Sequence, residues 1–189
     1  MRLARWVSLI FDPRVIIPLM LTLAVQQAYS NGLSVRFLLL LLFVDVGLPF
    51  WFYIYLKRKK QITHWDIVRR SERVPLYTFT TITNLVGVMI AMRMGQMQLA
   101  QLLSVFWFLA LTFTIVTMSW KVSIHSGVMA GLATFMVRFY GTVWLWMYPM
   151  AVVVAWSRLR LKRHGVTQVI LGIVLGILVM GLGMKLIGI

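Results

Sequence analysis

Residues 157 to 168 read Ser157-Arg158-Leu159-Arg160-Leu161-Lys162-Arg163-His164-Gly165-Val166-Thr167-Gln168. Four cations and a histidine fill a short polar break between two long apolar runs, and Gln168 follows His164 at helical spacing. Similar breaks occur at residues 57 to 75 and 121 to 125. The runs between them are roughly 17 to 24 residues long, enough to cross a hydrocarbon core of ~30 Å. The whole chain is 61% hydrophobic and only 12% charged, with a mean hydropathy of +0.88. This pattern predicts an all-α fold, a polytopic membrane helical bundle of six to seven transmembrane helices forming a single domain over residues 1–189. A net charge of +15 could suit nucleic acid. The cations, however, lie between membrane-length runs, so the expected partner is the bilayer and no nucleic acid is expected. The absence of cysteine excludes disulfides and thiolate metal sites.

Residues 1–14 are basic and amphipathic, with Trp6 and Phe11 among the apolar positions, which predicts an interfacial segment. They carry no signal-peptide cleavage pattern, and the first apolar run reads as a retained anchor. The expected spans are 15–29, 33–56, 76–92, 97–120, 126–137, 142–156 and 165 onward, with a tight turn at Asn31-Gly32. Asp45, near the middle of the second span, reads either as a proton or substrate contact or as a neutral structural group. Gly172 and Gly176 have the spacing that lets helices approach closely, and so suggest a possible homodimer. Counting spans puts residues 1–14 and all three polar breaks on one membrane face. That face holds every one of the 19 Lys and Arg except Arg36, Arg93, Arg138 and Lys185. By the positive-inside bias it is cytoplasmic.

Same-side breaks can build one site, and their residue types suit phosphoryl transfer. Such chemistry needs cations on the equatorial oxygens, an in-line nucleophile and a proton donor for the departing oxygen. Arg73, Lys121 and Arg158 can clamp the oxygens, the arginines through their planar fork. Ser126-Gly127, at the expected start of the fifth span, can add backbone amides at a helix N-terminus. His164 and His125 are the histidines of the third and second breaks, and imidazole is readily poised for such transfer near neutral pH. Gln168 can accept a bond from the His164 ring and fix its tautomer. Taken alone, Arg160, Lys162 and Arg163 read as lipid-headgroup contacts. His64 beside Trp65 reads as interfacial, and the tryptophans as packing or aromatic belts.

These residues resemble the type 2 phosphatidic acid phosphatase superfamily of integral-membrane lipid phosphatases, whose motifs read K-x6-R-P, P-S-G-H and S-R-x5-H-x3-D. Ser157-Arg158, five residues and His164 match the third, with Gln168 at the aspartate position. Ser126-Gly127 match the S-G of the second, with His125 at the proline position and Val128 at the histidine position. Arg73-Val74-Pro75 resemble the R-P of the first, with Asp66 at the lysine position. The resemblance covers residues 66 to 168 and is closest to a divergent bacterial branch, which implies a bacterial inner (plasma) membrane location.

The resemblance implies a metal-independent phosphoric monoester or diphosphate hydrolase without cofactor, acting on a lipid phosphate, for instance a polyprenyl one. His164 would attack phosphorus to give a phosphohistidine, His125 would take over as general acid, and Gln168 would stand in for the orienting aspartate. Lys121, or one of Arg69 and Arg70, would replace the first-motif lysine. A non-catalytic lipid-phosphate binder or transporter using the same basic pocket is the alternative, motivated by the glutamine at 168.

Overall fold

The computed structural model describes residues 1–29, 34–64 and 66–188. The turn expected at Asn31-Gly32, and Trp65, lie outside them. Among the described residues all regular structure is helical: α1 Arg2–Ile10, α2 Pro13–Ala28, α3 Val35–Leu41, a π-helical turn Leu42–Gly47, α4 Leu48–Arg58, α5 Arg70–Arg93, α6 Met97–Ser119, α7 Ile124–Tyr140, a 3-10 turn Thr142–Trp146, α8 Met147–Arg160 and α9 Val166–Leu186. Five stretches are long and apolar enough to cross a membrane: 2–28, 35–58, 70–93, 97–119 and 166–186. The helices fall into two compact units, residues 1–17 with 121–189, and residues 18–120.

The second unit is built on the α5–α6 hairpin, whose turn uses Gly95 in the left-handed region (φ 73). Gln96 N–H donates to the Ala91 carbonyl (2.9 Å) and Gly95 N–H to that of Met92 (3.0 Å), the two bonds that close a helix end of this type. Between the helices, the hydroxyls of Thr81 and Thr114 share a buried hydrogen bond of 2.8 Å, and Phe52 of α4 stacks on Phe79 of α5 with ring centroids 4.3 Å apart. The π-helical turn carries the buried Asp45. It lies against Gly87, where an added Cβ would come within 2.9 Å of both carboxyl oxygens. Glycine at 87 is what allows the carboxyl to rest on α5.

In the first unit α7 is the central element: every residue from His125 to Met136 is buried. Helix α9 packs along it through Gly172 and Gly176. A Cβ at Gly172 would overlap the Ser123 carbonyl and sit 2.8 Å from Ser126 Oγ, while one at Gly176 would overlap the Gly127 carbonyl and lie 3.1 Å from Gly131 N. The small-residue spacing that suggested a dimer contact therefore serves packing within the chain. The opposite side of α9 exposes Val166, Ile170, Val174, Leu178, Leu182 and Leu186 at intervals of one helical turn, an apolar stripe suited to lipid. Helix α8 is tied to α7 by Tyr148 Oη donating to Thr134 Oγ1 (3.2 Å). Helix α1 lies on α8, with Leu3, Trp6 and Ile10 exposed and Ala4 and Ser8 buried.

Several element limits differ from those the hydropathy pattern predicts. Helix α5 starts at Arg70, so Arg70 and Arg73 lie on a helix and Pro75 inside it. Helix α7 starts at Ile124, which takes His125 into its first turn. Helix α8 runs on to Arg160, so Ser157 and Arg158 are in its last turns. Hydropathy marks where apolar character stops. A helix continues while its backbone donors find partners, and caps decide that.

The glycine contacts give a direct check. Gly176→Ala meets backbone, which cannot swing aside as a side chain can, so it is expected to cost about 1–3 kcal/mol or more. Gly181→Ala, whose Cβ would lie 3.8 Å from Thr134 Cγ2, is expected to be neutral. Thermal unfolding of the two variants in detergent distinguishes them.

Candidate functional site

The first unit brings together the N-terminal segment, the second break and the third break. Each break is shaped by a helix end. Ser123 is the N-cap of α7: its Oγ accepts from Ser126 N–H (3.5 Å), and its carbonyl accepts from Gly127 N–H (3.2 Å). The amides of Ser126 and Gly127 are thus engaged inside the helix, and both residues are buried. Ser126 Oγ lies 3.1 Å from the Ser123 carbonyl and 3.2 Å from that of Val169. Ser123 N–H donates to the Gln168 carbonyl at 3.1 Å. The second and third breaks are therefore joined through backbone as well as side chains.

The third break is a helix C-cap followed closely by a helix N-cap. Arg163 N–H donates to the Arg158 carbonyl (3.0 Å) and Lys162 N–H to that of Leu159 (2.9 Å). Lys162 takes the left-handed conformation, φ 55, that this cap requires. The turn ends α8 with Arg158 directed into the unit, 1% exposed, its Nη1 donating to Ser8 Oγ of α1 at 2.6 Å. His164 follows at once and is buried. Lys121 reaches over from the second break, its Nζ donating to the Arg163 carbonyl at 2.7 Å.

His164 and Gln168 meet as their spacing predicts: Nδ1 lies 3.2 Å from Gln168 Oε1. The same oxygen accepts from the backbone N–H of Gly165, the N-cap of α9, at 3.2 Å. An amide N–H can only donate, so the atom facing Gly165 is the carbonyl oxygen of Gln168. The Nδ1 facing that oxygen must then carry the proton, which leaves the lone pair of the neutral ring on Nε2. Gln168 caps the helix and sets the histidine tautomer with one atom.

His125 has a partner that hydropathy does not reveal. Its Nε2 lies 3.4 Å from Oδ2 of Asp12, and both residues are about nine-tenths buried. Asp12 sits between α1 and α2 as the N-cap of α2: Oδ1 accepts from Arg14 N–H at 2.9 Å, and Pro13 occupies the first helical position. The Arg14 guanidinium also grips the carboxylate, Nε to Oδ1 and Nη2 to Oδ2, each at 2.7 Å. The Asp-Pro pair is a recognisable helix start, and it was the available signal for Asp12. Ser8 carries no comparable signal.

Arg69, Arg70 and Arg73 of the first break belong to the second unit and have partners there. Arg73 is buried, its Nε donating to the Ile67 carbonyl at 2.8 Å. Arg70 Nη1 donates to the Met118 carbonyl. Arg69, largely exposed, lies 3.9 Å from Glu72, whose carboxylate accepts from Thr63 Oγ1 (2.9 Å) and Thr63 N–H (3.2 Å). The cleft lined by Leu56, Gln61, Ser71, Glu72 and Pro75 contains an acid and no cation, a poor lining for phosphate. The described residues include no grouping of three or more His, Cys, Asp or Glu side chains able to hold a metal ion.

Removing the shared acceptor tests the arrangement around His164. Gln168→Met is expected to lose both bonds, cost about 0.5–2 kcal/mol as a lost cap does, and release the ring to mix tautomers. Gln168→Glu, which keeps the acceptors, is expected to keep Nδ1–H. Nitrogen-15 NMR of the histidine rings together with thermal unfolding reads both. Comparison of the chain with family models, curated proteins and solved structures finds no match.

Proposed function

We propose that the chain is a membrane lipid phosphatase that hydrolyses a lipid phosphate or diphosphate, polyprenyl or otherwise, through a phosphohistidine. The observation that carries this reading is the His164–Gln168–Gly165 arrangement, which keeps the ring proton on Nδ1, so that the neutral imidazole has its lone pair on Nε2. The third motif, Ser157-Arg158-x5-His164, supplies the resemblance. The second motif is better met in another register: Ser123 and His125 keep the Ser-x-His spacing of P-S-G-H, with Ile124 at the glycine.

The proposed chemistry is carried by groups of the first unit. His164 Nε2 donates its lone pair to phosphorus, the bond to the leaving oxygen breaks, and that oxygen takes a proton from His125. Water then attacks the phosphohistidine, its proton passing to His125, and phosphate departs from Nε2. Arg158 and Lys121 supply positive charge beside the phosphoryl oxygens, Arg158 from a buried position where water screens it little. As written, the reaction needs no metal. In this reading α7 and α8 also cross the bilayer, making six to seven spans, and the site lies on the cytoplasmic face of a bacterial inner membrane, where the cations concentrate. The exposed apolar stripes offer room for a lipid tail.

A phosphate-release screen across lipid phosphates tests the proposal. Purified protein is expected to release phosphate and to form an acid-labile phosphoenzyme, and His164→Ala to lower release by more than about 10³-fold, as loss of a nucleophile does. Tight lipid-phosphate binding without release, unaffected by the substitution, would favour a binder or transporter instead.

A further inference from the structure

The two histidines of the first unit have chemically different partners. Gln168 faces His164 with a neutral carbonyl oxygen, which accepts from the ring but gives an imidazolium no opposite charge. Asp12 faces His125 with a carboxylate, which favours the doubly protonated ring. From this juxtaposition we infer that Asp12 is the positioning residue that keeps His125 as the proton donor, while Gln168 keeps His164 as the neutral nucleophile. This rests on the phosphatase reading for its reaction and on the geometry alone for its pairing. Acid and base roles on two like side chains are commonly separated by opposed surroundings. Here the separation is built from a helix cap at each histidine.

Asp12 is held in place independently of His125. Its Oδ1 caps α2, and Arg14 grips both oxygens, leaving Oδ2 shared between Arg14 Nη2 and His125 Nε2. The carboxylate therefore cannot swing away without breaking the cap. Among the neighbouring cations, Lys121 donates to the Arg163 carbonyl and Arg158 to the Ser8 hydroxyl. Asp12 supplies a carboxylate in contact with His125. When His125 has given its proton to the leaving oxygen, Asp12 holds the neutral ring through Nε2–H, so the same ring can accept the proton of the attacking water.

The competing role for Asp12 is that of a helix cap alone. Asp12→Asn separates the two readings, because asparagine caps a helix about as well as aspartate but carries no charge. The rate of phosphoenzyme formation is measured for an alkyl phosphate, whose leaving oxygen needs a proton, and for an aryl phosphate with an acidic leaving group, which does not. Asp12→Asn is expected to slow the alkyl reaction about 100-fold and the aryl reaction only a few-fold. Equal slowing of both, or of neither, overturns the positioning role. Nitrogen-15 NMR of the His125 ring needs no turnover. Its titration midpoint is expected to fall in Asp12→Asn, because the carboxylate charge beside the ring is lost, and an unchanged midpoint overturns the pairing whatever the activity. If the midpoint falls but wild-type protein forms no phosphoenzyme from either substrate, the pairing stands, while the phosphatase reading and the donor role fail together.

Discussion

The approach of α9 to α7 at backbone distance is the constraint on which the first unit depends. Two missing side chains, at Gly172 and Gly176, let one helix lie against the carbonyls of the other. Only at that separation can Ser123 N–H reach the Gln168 carbonyl and Ser126 Oγ the Val169 carbonyl. Those bonds hold the start of α7, with His125, beside the start of α9, with Gln168. In lipid the hydrophobic effect does little to draw helices together, so close van der Waals contact and interhelical hydrogen bonds must do so. Both operate at this seam.

Around the seam an apolar chain buries several ionic or polar side chains, each with a geometric compensation. Arg158 has Ser8, Asp12 has Arg14 and His125, and His164 has Gln168. Burying such groups is costly unless hydrogen bonds replace those lost to water. Partners come mostly from a different helix or from a cap, so the polar groups depend on the helix ends being where they are. Glu72 shows the same economy in the second unit, where Thr63 satisfies it.

Helical class and membrane character were legible because apolar run length is a long-range signal that few substitutions can hide. So was the His164–Gln168 pair, since a four-residue spacing on a helix specifies a shared face. The position of the α7 start was not. Residues 121–127 mix polar and apolar types, and taking Ser126 as the first residue made its amide look available. With Ser123 as the cap, that amide lies inside the first turn. The Asp12–His125 pair was hidden for another reason: its members are more than a hundred residues apart in the sequence, and periodicity says nothing about such contacts. The second-unit arginines were grouped with the site by span counting, which assigns a membrane side but no neighbours. Within their own unit, Arg73 donates to the Ile67 carbonyl and Arg70 to that of Met118.

The left-handed turn at Lys162 acts as a ruler. Between Arg158 and His164, Arg160 and Lys162 are exposed and the other three side chains half-buried, but the number of residues is fixed. The cap bonds from Arg163 to Arg158 and from Lys162 to Leu159 close only with that count. One residue more or fewer would move the histidine off the end of the turn while leaving every side chain in the motif present. The five positions between Arg158 and His164 are thus constrained in length by the cap bonds. A lysine in a backbone conformation that glycine would adopt more easily shows that the turn is held by its bonds and not by the residue placed there.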